Sequence, residues 1–443
     1  MAATVMGTQL FEYFDFFIAG FIVSMIAKPW HLTFGESTII LLTSGVGAII
    51  GSLVWGWLGD RFGRRPALIA SIFTFTIGTG LAALTPTGWW WMLALLRVVV
   101  GAGVGGGNSV GPPLIVEFTP TRHRVVIGGL ATVTFIPIGV MLTSLLAATL
   151  GPVIGFRGLL LVGLLPVLLA VWAYWAVPES PRWLLSHGRE READEVVNRI
   201  FGTTAGCGTE FKVEAAGAGP PSYVETLRYP GSFWAVALLW FCADVIVFGA
   251  LLWGPTLLAQ VLALSPAGAA RMFIGVSLAG FLGRLAFPFI AKAVGRRNAG
   301  ALMGIGSAVL LAMTGIWHSV MFGSISAFYL FFLLANLFLD GGWTNLVPWT
   351  AEMWPARLRA RGQGVGNAFG GIGKILGPVL LGLIAGSGNL ITPHATLEAV
   401  TPAFLVFAAC GVVMALVAWL IAPETAHASL EDIALSPTRR VVE

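Results

Sequence analysis

Glu12 and Asp15 stand three residues apart inside an apolar run, and Arg97, Asp244, Asp340 and Lys374 interrupt other runs like it. Acids at this spacing share one face of a helix. Each such charge costs about 2.5–3.5 kcal/mol at the centre of a bilayer on an insertion scale, so each must face protein or water. The residue types define the chemistry on offer. Burial in a low-dielectric site raises a carboxylate's pKa toward working pH and lets it exchange a proton. Beside an arginine, the same carboxylate forms a directional ion pair. Glu12, Asp15 and Arg97 are therefore candidates for a proton-coupling cluster, with a permanent structural ion pair as the plainer alternative. Two cations, Arg97 and Lys374, favour a ligand that carries a carboxylate. The six histidines fall in loops or at helix ends, and the three cysteines (Cys207, Cys242, Cys410) have no metal-ligand spacing, so neither a metal nor any other cofactor is expected.

The elements that must position these residues follow from composition. The chain is 57% hydrophobic and 10% charged, against roughly 25% charged in soluble domains. A water-soluble core cannot hide that much apolar surface, so lipid is the solvent for most of it. Twelve segments are long enough to span roughly 30 Å of hydrocarbon. They are Val5–Ala27, Thr38–Leu58, Ala67–Thr85, Trp90–Val116, Val125–Leu150 and Gly158–Val177, then Ser232–Gln260, Ala267–Ala291, Ala299–Trp317, Ser324–Ala351, Gln363–Ala385 and Thr401–Ala422. The first carries no basic region before it and contains two acids, so it is expected to be retained as helix 1. Between the two sets of six lies a polar linker, 178–231, in which Ser186–Phe201 reads as an amphipathic helix. The expected organisation is thus a six-helix bundle at 1–177, the linker, a second bundle at 232–422, and a tail at 423–443. Of the 25 Lys and Arg, 19 fall in the linker, the tail and the even-numbered connections. That asymmetry places both termini and the linker in the cytoplasm.

Three motifs occur twice. Gly51–Arg65 returns as Gly283–Arg297 after 232 residues, Glu117–Arg124 as Glu352–Arg359 after 235, and Pro178-Glu179-Ser180 as Pro423-Glu424-Thr425 after 245. A near-constant offset means two homologous halves. The turn Gly59-Asp60-Arg61-Phe62-Gly63-Arg64-Arg65 resembles the signature loop of the major facilitator superfamily. Pro178-Glu179-Ser180-Pro181-Arg182-Trp183 is similar to its sugar-porter, organic-ion and synaptic-vesicle-protein-like branches. Arg97-x-x-x-Gly101-x-Gly103 resembles the helix-4 arginine motif. Glu12-Tyr-Phe-Asp15 resembles helix 1 of the metabolite:proton and aromatic-acid:proton symporters. The resemblance implies an all-α membrane protein of twelve transmembrane helices in two pseudo-symmetric six-helix bundles. It also implies a cavity lined by helices 1, 4, 7 and 10, and a helix-1 carboxylate that carries the proton.

On that pattern, Tyr13, Asn108, Asp244, Asn336, Asp340, Trp343, Asn345, Asn367 and Lys374 are the candidate substrate contacts. Asp60, Arg64, Glu117, Arg124, Glu179 and Arg182, with Arg297, Glu352, Arg359 and Glu424 in the second half, are candidates for a cytoplasmic gate. Asn108 stands where the metabolite:proton symporters often have Glu, and Lys374 one turn from where relatives often have Arg. Gly101–Gly106 fits a dinucleotide fingerprint but lies inside a spanning segment with no strand before it, which makes it packing glycine. The expected function is proton-coupled uptake of a small organic acid, aromatic or otherwise, by alternating access across the plasma (inner) membrane, with one chain sufficient. A sugar or polyol transporter and a proton-coupled exporter of organic cations are the alternatives. Nothing supports an enzyme or a nucleic-acid partner.

Overall fold

The computed structural model describes residues 2–118, 137–201, 223–355 and 358–425, and they are almost wholly helical. The apolar runs become α1 (Ala2–Ile26), α2 (Phe34–Phe62), α3 (Arg64–Ala83), α4 (Trp90–Phe118), α5 (Pro137–Thr149), α6 (Gly151–Val162) and α7 (Pro166–Ala176). The linker holds α8 (Pro181–Ser186), α9 (Glu190–Phe201) and a short 3-10 helix, Tyr223–Arg228. The second half gives α10 (Pro230–Val261), α11 (Pro266–Val294), α12 (Arg296–Ile316), α13 (Ala327–Glu352), α14 (Arg359–Ile384) and α15 (Pro393–Leu420). Eleven stretches are long and apolar enough to cross a bilayer, α6 and α7 counting as one, and α5 lies where the fifth span is expected.

Two elements differ from expectation. The sixth span begins at Gly151 rather than Gly158 and is interrupted, because Gly155 takes φ 63° and a turn precedes Pro166. Proline has no N–H to continue a helix and glycine alone adopts positive φ without strain. The amphipathic segment is two helices, separated where Gly188 takes φ 71°.

Contacts group the chain into two compact units: Met1–Phe16, Thr43–Gly139 and Arg157–Pro220 form one, and Phe17–Leu42, Val140–Phe156 and Pro221–Glu443 the other. Within the first, the glycine run of α4 lies against α2 and α3. A methyl group at Gly101 or Gly105 would meet the carbonyl oxygen of Ser44 or Ala48 at 2.1 Å. Only small residues permit so close an approach of two backbones, and it brings Arg97, one turn before Gly101, against α2. Within the second unit, α10 is buried along most of its length and packs on α14. The same unit ties the ends of α1, α2 and α5 to second-half helices. Phe34 and Gly35 N–H donate to Asn389 and Ser387 O at 2.9 Å, Thr33 bridges Leu390, and Phe17 stacks on Phe248 with centroids 5.7 Å apart.

Candidate functional site

Asp15 on α1 and Arg97 on α4 meet inside the first unit with both side chains buried. Arg97 Nη1 lies 3.6 Å from Asp15 Oδ1, an ion pair without a hydrogen bond. The rest of the guanidinium is spoken for. Nε donates to Ser44 Oγ at 2.9 Å, and Nη2 donates to the main-chain oxygens of Asp15 at 2.6 Å and Phe16 at 3.2 Å. Asp15 Oδ2 accepts from Thr79 Oγ1 at 2.5 Å. Helices α1 to α4 therefore each contribute one polar group to this centre. Ser44 and Thr79 escape sequence reading, since a lone hydroxyl in an apolar run is indistinguishable from one bonding back to its own helix.

Glu12, one turn earlier, is also fully buried. Its carboxyl lies over Gly107 of α4, in the space a methyl group there would need.

In the second unit, Asp340 of α13 pairs with Arg284 of α11 at 2.5 Å, both buried. Arg284 is absent from the sequence-derived candidates although it too interrupts an apolar run. Asp340 is thus engaged by protein rather than open to a ligand. Asn336 Nδ2 donates to Val276 O at 2.8 Å, a further tie between α13 and α11. Asp244 of α10 is buried and falls under the charge of Lys374 from α14, which lies 5.4 Å over the Phe248 ring. Trp343 meets Trp240 edge to face at 5.3 Å, one turn from Asp244. Asn336, Asp340 and Trp343 share a stripe about 60° wide. One edge of it faces α11 and the other α10, so the three do not converge on one point. Neutralising Arg284 or Asp340 alone strands a buried charge and is expected to lower stability by about 3–5 kcal/mol. The double variant R284M/D340L recovers most of that loss, as thermal melting of purified protein will show.

The repeated arginine turns carry a second constellation. Glu179 accepts from Arg64 N–H (2.8 Å) and Arg65 N–H (3.1 Å), and Glu424 from Arg296 and Arg297 N–H (3.0 Å each). Each carboxylate thus caps the N-terminus of a helix in its own half, where the helix dipole favours an anion. The guanidinium of Arg65 donates to Tyr174 O, and that of Arg297 to Trp419 O, with the donors 232 and the acceptors 245 residues apart. The preceding residues, Gly63 (φ 111°) and Gly295 (φ 88°), leave the space the carboxylates fill. G63A and G295A are each expected to cost about 1–3 kcal/mol of stability from the strained φ, while G56A, at a glycine with open space around it, leaves melting unchanged.

Glu352 pairs with Arg296 (2.7 Å) and accepts from Thr425 Oγ1 (2.6 Å). The arginine that meets Glu352 is Arg296, the first residue of α12, which stands one position before the gate candidate Arg297. Asn345 lies beside the same arginine: its amide donates to Arg296 O at 2.9 Å.

Tyr13, Lys374 and Arg359 are half-buried, Asn367 and Asp60 exposed, and Asp60 O accepts from Trp183 Nε1. Arg124 lies outside the described residues, as do the side chains of Asn108, Glu117 and Arg182.

The twelve-helix fold in two six-helix bundles, with opposite charges paired inside it, defines a multi-pass membrane transporter of the major facilitator type, not an enzyme. The sequence matches the family described as Sugar (and other) transporter over residues 1–435, and the chain belongs to that family. It is 29% identical to the inner membrane metabolite transport protein YgcS of Escherichia coli (strain K12), across 96% of this chain and 91% of that one. It is 26% identical to the niacin transporter NiaP of Acinetobacter baylyi, across 96% and 94%. The inward-open conformation of the xylose transporter XylE from E. coli matches 97% of both chains with a TM-score of 0.76 at 20% identity, a likeness of fold.

Proposed function

We propose that this secondary transporter takes up a small organic acid together with a proton, across the plasma membrane, with both termini in the cytoplasm. The observation that carries the reading is the Asp15–Arg97 centre, in which a buried carboxylate neutralises a buried guanidinium that has no exposure of its own. Because Arg97 keeps its bonds to Ser44 and to two carbonyls whatever the state of Asp15, a proton on Asp15 does not release the arginine. It leaves its positive charge uncompensated in a low-dielectric site, where such a charge acts strongly. An anionic substrate then restores neutrality, so substrate and proton bind together or not at all. Within the second unit, Lys374 lies over the Phe248 ring and Trp240 meets Trp343, a cation and aromatic faces of the kind that suit a planar carboxylate. Niacin, named for one relative, is an acid of that kind. Alternating access proceeds by rocking of the halves, with the Arg-rich turns and their capped helices at the cytoplasmic gate.

The test is accumulation by proteoliposomes under an imposed pH gradient, with aromatic and aliphatic carboxylates, sugars and organic cations as separate substrates. Gradient-driven uptake of a carboxylate class supports the proposal. Gradient-driven uptake confined to sugars, or proton-driven extrusion of cations, overturns it.

A further inference from the structure

Among the described residues, seven Asp, Glu, Lys and Arg side chains lie at least seven residues from either end of a spanning helix: Glu12, Asp15, Arg97, Asp244, Arg284, Asp340 and Lys374. Six fall into opposite-charge couples: Asp15 with Arg97, Asp340 with Arg284, and Asp244 with Lys374. Glu12 is the remainder. Neither of its buried oxygens has a hydrogen-bond partner, and no charged group acts on it, among the described residues.

The surroundings explain its isolation. From α4, Gly107 reaches Glu12. Arg97, on the same helix, lies ten residues away, about 15 Å along the axis, and its donors are committed to Asp15, Phe16 and Ser44. From α5, Gly139 packs on Leu10 and Tyr13. On α1 itself, Asp15 is one turn away and turned to Thr79 and Arg97. An ionised carboxylate in such a place carries a desolvation penalty of several kcal/mol with nothing to offset it, and a proton removes that penalty.

We propose that Glu12 is a proton-loaded carboxyl in this conformation and the donor that serves Asp15. The step is a single proton transfer: the Glu12 O–H bond breaks, an Asp15 O–H bond forms, and the negative charge moves from Asp15 to Glu12. Residues three apart on a helix have Cβ atoms about 5–6 Å apart, so the transfer runs directly or through one water. Glu12 is then reloaded from the aqueous side. The role rests on the proton-symport reading for its second half only, because the protonation state is a property of the protein without substrate.

The first arm is therefore infrared spectroscopy of the substrate-free protein at neutral pH. The carboxylic-acid C=O stretch of a protonated side chain is expected in wild type, lost in E12Q and retained in D15N. G107A, which puts a methyl group where the carboxyl lies, is expected to lose or shift the same band. A band unchanged by E12Q, or absent from wild type, overturns the proposal. So does sodium-dependent quenching of the band, which would make Glu12 a cation ligand.

The second arm is transport. In E12Q the initial rate of pH-driven uptake is expected to fall at least about tenfold while the final accumulation ratio is kept, because a positioned proton donor speeds a transfer roughly 10²–10⁴-fold without changing its equilibrium. Wild-type rates in E12Q overturn the donor role. Failure of pH-driven uptake in wild type itself, with the band intact, overturns symport and leaves the protonated Glu12 standing.

Discussion

Proteoliposomes carrying Asp15→Asn are expected to lose pH-driven accumulation while still exchanging substrate across the membrane. One unit of pH gradient is worth about 1.36 kcal/mol per proton, or about a tenfold accumulation of a carboxylate taken up with one proton. Asparagine is close to a permanently protonated aspartate, and its amide still offers an oxygen to Thr79, which now donates to Asp15 Oδ2. Arg97 then stays uncompensated at every pH, so the anion binds without waiting for a proton. The accumulation ratio should fall from about ten to about one, with exchange at zero gradient kept. Retention of a tenfold ratio in this variant would show that the proton travels elsewhere.

Arg97→Lys should be as damaging for a different reason. The guanidinium ties α4 to two helices at once: Nε holds Ser44 on α2, Nη2 holds two carbonyls of α1, and Nη1 faces Asp15, also on α1. An ammonium has one nitrogen and no fixed fork, so it cannot reach these positions together. Hydrogen bonds to charged groups contribute about 1.5–3 kcal/mol each. Losing two of them is expected to remove at least about 3 kcal/mol, which lowers the population of the assembled centre by about a hundredfold. Melting temperature and exchange rate should fall together. Unchanged exchange in R97K would show that charge alone, and not the forked geometry, is what this position supplies.

The course of the chain was legible because lipid enforces it: the apolar runs have bilayer length, and the doubled motifs divide them. Glu12, Asp15 and Arg97 were legible for the same reason, since charge is rare in such runs and must be explained. Their partners were not. Ser44 and Thr79 are ordinary residues of apolar helices, and only the close approach of α4 to α2 at Gly101 and Gly105 makes Ser44 a ligand of Arg97. Arg284 carried the same signal as Asp340 and required only that every charge in a span be counted. Asn345 lies seven residues before the end of α13 at Glu352, and its contact with the first residue of α12 is one that residue types alone do not reveal. The glutamates of the repeated Pro-Glu motifs bind main-chain N–H groups at helix starts, a use of carboxylates that residue types alone do not reveal.

The central claim is that substrate and proton enter together. It is tested most directly by internal pH in proteoliposomes loaded with a pH-sensitive dye, after an aromatic carboxylate is added outside. Empty liposomes report the passage of undissociated acid through lipid. The account predicts internal acidification beyond that background with the wild-type protein and none beyond it with Asp15→Asn. Carboxylate entry with no protein-dependent acidification, or with internal alkalinisation, would contradict it.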